Sequence, residues 1–153
     1  MLSIHVPNID RWLSARFANT AANPLSITGT KLSVNSELVT ELATTTQTFV
    51  NNYAFSGYDY LTKVDLSSDL ITYIGSYAFS DCPLQEIKIG PGVINIGDGA
   101  FNNNGAGLAY VEYAASNAAN KSSAVFSNAS APITKLLIKN TVKRIPSYMF
   151  SSF

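Results

Sequence analysis

One six-residue plan returns four times along this chain, and it constrains the fold more than any other feature. The copies are Val50-Asn51-Asn52-Tyr53-Ala54-Phe55, Ile74-Gly75-Ser76-Tyr77-Ala78-Phe79, Ile96-Gly97-Asp98-Gly99-Ala100-Phe101 and Ile145-Pro146-Ser147-Tyr148-Met149-Phe150. A partial copy, Ala124-Val125-Phe126, falls between the last two, so the closing Phe recurs at steps of 24, 22, 25 and 24 residues. Self-similarity at a period of twenty-odd residues marks a solenoid, in which each repeat is one coil and buries its apolar side only against its neighbours.

Each hexad is preceded by a short segment whose fourth and sixth residues are apolar. These are Leu61–Leu66, Leu84–Ile89, Leu108–Tyr113 and Ile133–Ile138, with weaker copies at Met1–Val6 and Val39–Thr44. Alternation of this kind is the period of a half-buried strand. Strand ends step by 22, 23, 24 and 25 residues from Thr44 onward, whereas Val6 to Thr44 is 38, so the first coil carries an insertion. Stacked in parallel, the third positions read Ser3, Glu41, Lys63, Glu86, Tyr110, Lys135, and the fifth His5, Ala43, Asp65, Lys88, Glu112, Leu137. No two neighbours in either column carry like charge, as a stable register requires. The pattern predicts one parallel sheet of about six strands.

Polar bends follow the strands, at Ser67-Ser68-Asp69, Gly90-Pro91-Gly92 and Lys139-Asn140-Thr141. Second extended pieces are expected at Leu70–Ile74, Val93–Ile96 and Val142–Ile145. The hexad is then read as one helical or 3₁₀ turn that drives its Tyr/Phe pair inward. Stretches such as Ser80–Pro83 and Asn102–Gly105 return the chain to the next strand, with Gly and Pro as punctuation. Within the insertion, Lys31–Val34 and Leu38–Glu41 form a hairpin across Asn35-Ser36. The stretch 114–132, rich in Ala, Ser and Asn, is the least patterned and is expected to be the loosest. The whole is read as one solenoid over 1–153, with a longer first coil and inserted hairpin over 1–44 and regular coils of 22–25 residues over 45–153.

Composition narrows the function. Ten basic and ten acidic residues cancel, so no global field draws in nucleic acid or an anionic membrane. Charged residues reach 13% against 46% hydrophobic, the profile of a polar, weakly charged surface over an aromatic-rich core. A single cysteine, Cys82, excludes an internal disulfide and a cysteine-based zinc site. No apolar run approaches the roughly 20 residues of a membrane-spanning helix, and no signal peptide opens the chain. The chain starts inside a strand and stops shortly after Phe150, with no capping helix or disulfide in view. The reading is therefore a slice of something longer, with partly exposed apolar ends that stack end to end.

A strand, a bend, an Ile-Gly, a Tyr-Ala-Phe and a short Cys-containing loop together resemble the BspA-like leucine-rich repeat family. Ser76-Tyr77-Ala78-Phe79-Ser80-Asp81-Cys82 followed by Leu84-Gln85-Glu86-Ile87 is close to a model copy. The inserted coil, with Trp12, Phe17, Asn23-Pro24-Leu25 and the hairpin leading to Glu37–Leu42, is similar to a module common in such proteins. The first hexad departs in having Val50-Asn51 for Ile-Gly. The hairpin has Asn-Ser where Asn-Gly is usual, and the coil at Ala115–Pro132 has lost most of the hexad. The resemblance implies a non-catalytic, right-handed leucine-rich-repeat superhelix, mainly β with short helical or 3₁₀ turns, belonging to a cell-surface or secreted protein. It implies adhesion to host proteins, other cells or matrix, and it fixes no ligand residue.

Each residue type with chemical potential also has a simpler structural role. His5 is the sole histidine and sits at an outward strand position; general-base work needs a positioned nucleophile or acid, so a solvent-facing strand residue is the reading. Cys82 lies beside Asp81, against the electropositive setting a reactive thiol needs, and reads as a buried small hydrophobe. Glu41, Asp65, Glu86 and Glu112 interleave with lysines and read as a salt-bridge ladder, not a metal or glycosidase pair. Gly90-Pro91-Gly92 and Gly97-Asp98-Gly99 match no phosphate-binding motif. Asn120-Lys121-Ser122 and Asn128-Ala129-Ser130 match the glycosylation pattern in a stretch where chance matches are expected.

Hexad aromatics (Phe55, Phe79, Phe101, Phe126, Phe150, Tyr53, Tyr77, Tyr148) read as core. Tyr110, outward beside Glu86 and Lys135, is the preferred contact, with Tyr58, Asp59 and Tyr60 nearby in a return loop. The protein-contact surface is thus placed at Lys63, Asp65, Glu86, Lys88, Tyr110, Glu112 and Lys135. It takes no cofactor, metal or nucleic acid, and its partner is a protein or glycan on a host or neighbouring cell. The rival reading is a structural building block of a phage virion or surface layer.

Overall fold

The computed structural model describes residues 1–43, 46–104, 107–127 and 133–151. Thr44, Gly105, the sequon at Asn128 and the terminal Ser152-Phe153 lie outside the described residues.

Strands β1 (Ser3–Val6), β2 (Lys31–Val34), β3 (Glu37–Leu38) and β4 (Glu41–Leu42) come first, with helix α1 (Ile9–Leu13) between β1 and β2. The regular coils follow with β5 (Phe49–Val50), β6 (Lys63–Leu66), β7 (Tyr73–Ile74), β8 (Glu86–Ile89), β9 (Asn95–Ile96), β10 (Tyr110–Tyr113) and β11 (Lys135–Ile138). One parallel sheet runs β11-β10-β8-β6-β4, and a second, at the bends, runs β5-β7-β9. This is the expected mainly-β solenoid. Its register is the one that charge alternation required: Glu41↔Lys63, Asp65↔Lys88, Glu86↔Tyr110 and Tyr110↔Lys135 are all lateral neighbours.

Five strands, not six, share the main sheet. β1 leaves it to pair in parallel with β2, placing His5 opposite Ser33, and the hairpin β2–β3 completes a separate three-stranded sheet. The reason is the insertion: β2 offers a full four-residue partner, whereas β4 is only two residues long. Asn35 and Ser36 turn the hairpin with φ of 51° and 68°, the left-handed pair that a two-residue turn needs.

Aliphatic strand positions and the hexad phenylalanines fill the core, and Phe55, Phe79, Phe101, Phe126 and Phe150 stack ring on ring at 5.6, 5.3, 5.1 and 6.0 Å. The hexad tyrosines behave differently. Tyr53 is half-buried, and Tyr77 and Tyr148 are exposed, so the expectation of an inward Tyr/Phe pair holds for Phe alone. Nor is the hexad a helical turn. Tyr53, Tyr77 and Tyr148 each take a φ near +55–60°, which reverses the chain and swings the ring outward. Backbone rungs then run from coil to coil, with Phe55 N–H to Ala78 C=O and Phe79 N–H to Ala100 C=O. Buried hydroxyls of Ser56 and Ser80 share a 2.8 Å bond beside them.

Gly75 is required by close approach. A Cβ there would lie 2.4 Å from the backbone of Asn52 in the preceding coil. Asn51, at the same place in the first hexad, has no such neighbour, and its amide instead donates to Ala15 C=O at 3.0 Å.

Two further expectations differ from the structure. Val142–Ile145 forms no strand; it is tied to the preceding coil by single bonds, Lys143 N–H to Ser116 C=O at 2.9 Å and the Arg144 guanidinium to Ala118 C=O at 2.8 Å. In the coil after β10, Ala114, Ala115, Ala118, Val125 and Phe126 are buried. The N-terminal end is covered. α1, N-capped by Asn8, and 3₁₀ turns at Thr20–Ala22 and Pro24–Ser26 lay Trp12, Leu13 and Leu25 over the first coil. Trp12 Nε1 donates to Ala54 C=O at 2.7 Å, and Asn23 Nδ2 donates to Tyr53 C=O at 2.6 Å.

Candidate interaction surface

Side chains of a strand alternate between faces, so the first and third residues of β6, β8, β10 and β11 share the outer face of the main sheet. That face gathers Lys63, Asp65, Glu86, Lys88, Tyr110, Glu112 and Lys135 in consecutive columns. They form two groups. In the first, Lys88 Nζ lies 3.3 Å from Asp65 and 3.0 Å from Glu86, while Lys63 pairs with Glu41 at 3.1 Å. In the second, the Tyr110 hydroxyl donates to Glu112 at 2.8 Å, Lys135 stands 5.3 Å from the Tyr110 ring centroid, and Glu112 pairs with Lys139 at 3.5 Å.

The ladder expected from the columns is thus half realised. Glu41–Lys63 and Asp65–Lys88 form across strands. Lys88 closes on Glu86 of its own strand, and Glu112 on Lys139 just beyond β11. Lys139 was visible only as part of a bend, because its role depends on where that bend sends it.

Electrostatics follow the geometry. Hydrogen bonds to Glu86 and then to Asp65 hold the Lys88 ammonium charged to above the ordinary lysine range. Partial burial would raise the Asp65 carboxyl, but hydrogen bonds from Ser67 and Lys88 outweigh it and hold the group below its usual value. The bond to Glu112 raises the Tyr110 phenol. Exposed pairs of this kind add little stability, about 0–1 kcal/mol each; they order polar groups on a surface. A shallow depression of about 170 Å³ lies among Glu41, Lys63, Asp65, Glu86 and Lys88.

Elsewhere the simpler roles prevail. Tyr58 is fully buried, its hydroxyl donating to Val39 C=O at 2.8 Å, so it is core and not part of a contact loop. Burial pushes the Cys82 thiol well up, and its Sγ lies 3.0 Å from Phe55 C=O. His5 is exposed, and its Nδ1 meets the hydroxyl of buried Ser33 at 2.5 Å as a rung between β1 and β2. Asn120 is exposed, and the adjacent Lys121 pairs with Asp98 at 3.4 Å. Among the described residues no group of three or more His, Cys, Asp or Glu side chains could hold a metal, and no helix is long and apolar enough to cross a membrane.

A family model described as the BspA type leucine rich repeat region matches residues 33–153 in six copies. The match starts within β2, so α1 and the turns that cover the first coil lie outside it. No curated protein and no solved structure matches the chain. Repeats of this kind generally mediate protein binding, are generally non-catalytic and are typically surface-associated. With the register, the hexad and the matched span in agreement, the chain belongs to the BspA type leucine rich repeat family.

Proposed function

We propose that this chain is an adhesion scaffold, at the cell surface or secreted, whose main-sheet face contacts a protein or glycan on a host or neighbouring cell. The contact residues are Lys63, Asp65, Glu86, Lys88, Tyr110, Glu112 and Lys135. The observation that carries the reading is their arrangement: seven polar side chains in register on one face, in two mutually bonded groups. Ordered charges beside a half-buried Tyr suit a broad contact of many modest terms, in which Tyr is favoured.

The test is capture of matrix proteins and a glycan panel by immobilised chain, compared with Lys88→Glu and Tyr110→Ala. Loss of capture in both variants, with unchanged circular dichroism, is the expected result. Full capture by both would sink the assignment of this face.

One observation favours a second reading, a structural building block of a phage virion or surface layer. Leu136, Leu137, Ile138 and Ile145 are exposed together around β11, an apolar end suited to end-to-end packing. Linear oligomers in solution, with no host protein or glycan bound, would select it.

A further inference from the structure

The other edge of the main sheet carries a feature that the face does not explain. Among the described residues β4 pairs with β6 alone. The Thr62 N–H donates to Thr40 C=O at 2.8 Å, so Thr40 and, by alternation, Leu42 turn their main-chain groups toward β6. Glu41 and Ala43 therefore turn theirs away, toward the open edge.

That edge forms one wall of a groove of about 580 Å³ between the hairpin, the start of α1 and β4. Ile9, Val34 and Leu38 give it apolar lining, with Leu38 exposed and the other two half-buried. Its only charged lining residues are acidic, Glu37 and Glu41. Exposed edges are commonly blunted by lysine or proline; here the guards are glutamates, which repel acidic strands and admit basic ones.

We infer that this groove is a docking site for an extended segment of a partner protein, added as a strand on the free edge of β4, with lysine or arginine alternating with apolar residues. Main-chain bonds to Glu41 and Ala43 hold it, as in other strand-addition complexes. Apolar side chains settle on Leu38, Val34 and Ile9, and its cations face Glu37 and Glu41. The inference rests on the reading of the chain as a protein-interaction scaffold and adds a second contact beside the sheet face, the two meeting at the Glu41–Lys63 pair.

The probe is a fluorescent nonapeptide of alternating lysine and valine, titrated into the whole chain and followed by anisotropy. Controls are the same peptide N-methylated at alternate residues and its glutamate-for-lysine analogue. Glu37→Lys on the exposed hairpin, and separately Glu41→Lys, are expected to weaken binding about tenfold each. N-methylation on the bonding edge is expected to weaken it at least about tenfold. Binding that tolerates N-methylation, or that survives both charge reversals, would overturn the inference, as would absence of peptide binding. Concentration-dependent dimerisation abolished by Glu41→Lys, without peptide binding, would overturn it in favour of a second copy on this edge. Lys88→Glu and Tyr110→Ala must leave peptide binding unchanged. If they abolish capture of surface ligands while the peptide fails to bind, only the groove is lost; if they are inert while the peptide binds, only the face is.

Discussion

The two ends of this solenoid solve the same problem in opposite ways. In the interior, each hexad carbonyl accepts an N–H from the coil before it, as Ala78 does from Phe55 and Ala100 does from Phe79. Ala54, in the first hexad, has no preceding coil, and the indole of Trp12 and the amide of Asn23 supply the donors instead. The insertion thus imitates a neighbouring coil with side chains. At β11 nothing comparable is present among the described residues. Leu136 and Ile138 are 40% and 38% exposed, where Val111 and Tyr113 one coil earlier are fully buried. An end becomes a cap when it meets both the apolar and the hydrogen-bonding demands of the last coil, and among the described residues the N-terminal insertion does so.

Substitutions can probe that contrast. Trp12→Ala removes both a buried ring and the donor to Ala54, and is expected to cost about 3–5 kcal/mol in urea denaturation. Phe150→Ala, at the partly buried open end, should cost clearly less; equal losses would erase the difference between the ends. Asn23→Ala removes one donor from each of the Tyr53 and Ala54 carbonyls and takes away the acceptor of the buried Leu25 N–H, and should cost about 1–3 kcal/mol.

Tyr113, one strand in from β11, reports on the open end through pH. Burial pushes its phenol up to about 12, above the ordinary value near 10. Its neutral form is favoured in the folded state, so its contribution is complete below pH about 10 and is lost as pH rises toward about 12. Tyr113→Phe should remove that alkaline loss. The hydroxyl has no hydrogen-bond partner among the described residues, so little stability should be lost at neutral pH. A normal phenol titration in the wild type would mean that the open end admits water as far as β10.

The smallest effect is expected at the surface itself. Leu136→Lys with Ile138→Lys should change stability by no more than about 0.5 kcal/mol, yet abolish any concentration-dependent association seen by ultracentrifugation. A large loss of stability would show that β11 is better covered than its exposure indicates.

The sequence was most legible where one physical demand repeats. Charge alternation across the columns set the strand register, because like charges cannot sit side by side on a shared face, and all seven residues proposed for contact took the register positions the columns gave them. It was least legible where the demand is met once. The cap rests on a five-residue helix, too short for a period, and on two side-chain donors whose targets lie about 30–40 residues away in sequence. The hexad Tyr shared its recurrence with Phe, and recurrence alone does not tell an inward ring from one thrown outward by a left-handed backbone. Lys88 and Glu112 chose partners within a strand or beyond a bend, a choice made by side-chain reach that columns do not encode. The groove beside β4 escaped for a related reason: it lies between two sheets that were read as one.

Tyr53, Tyr77, Gly99 and Tyr148 occupy one left-handed position in successive hexads, and the glycine breaks the series. The rings of Tyr53 and Tyr77 lie parallel, with centroids 5.7 Å apart, and the Tyr77 ring comes within 2.6 Å of where a Cβ on Gly99 would sit. A side chain at 99 would have to displace that ring. Coils that share a consensus are therefore not interchangeable units: each is fitted to the one before it, and a chain reassembled from the same repeats in another order would inherit the consensus but lose the fit.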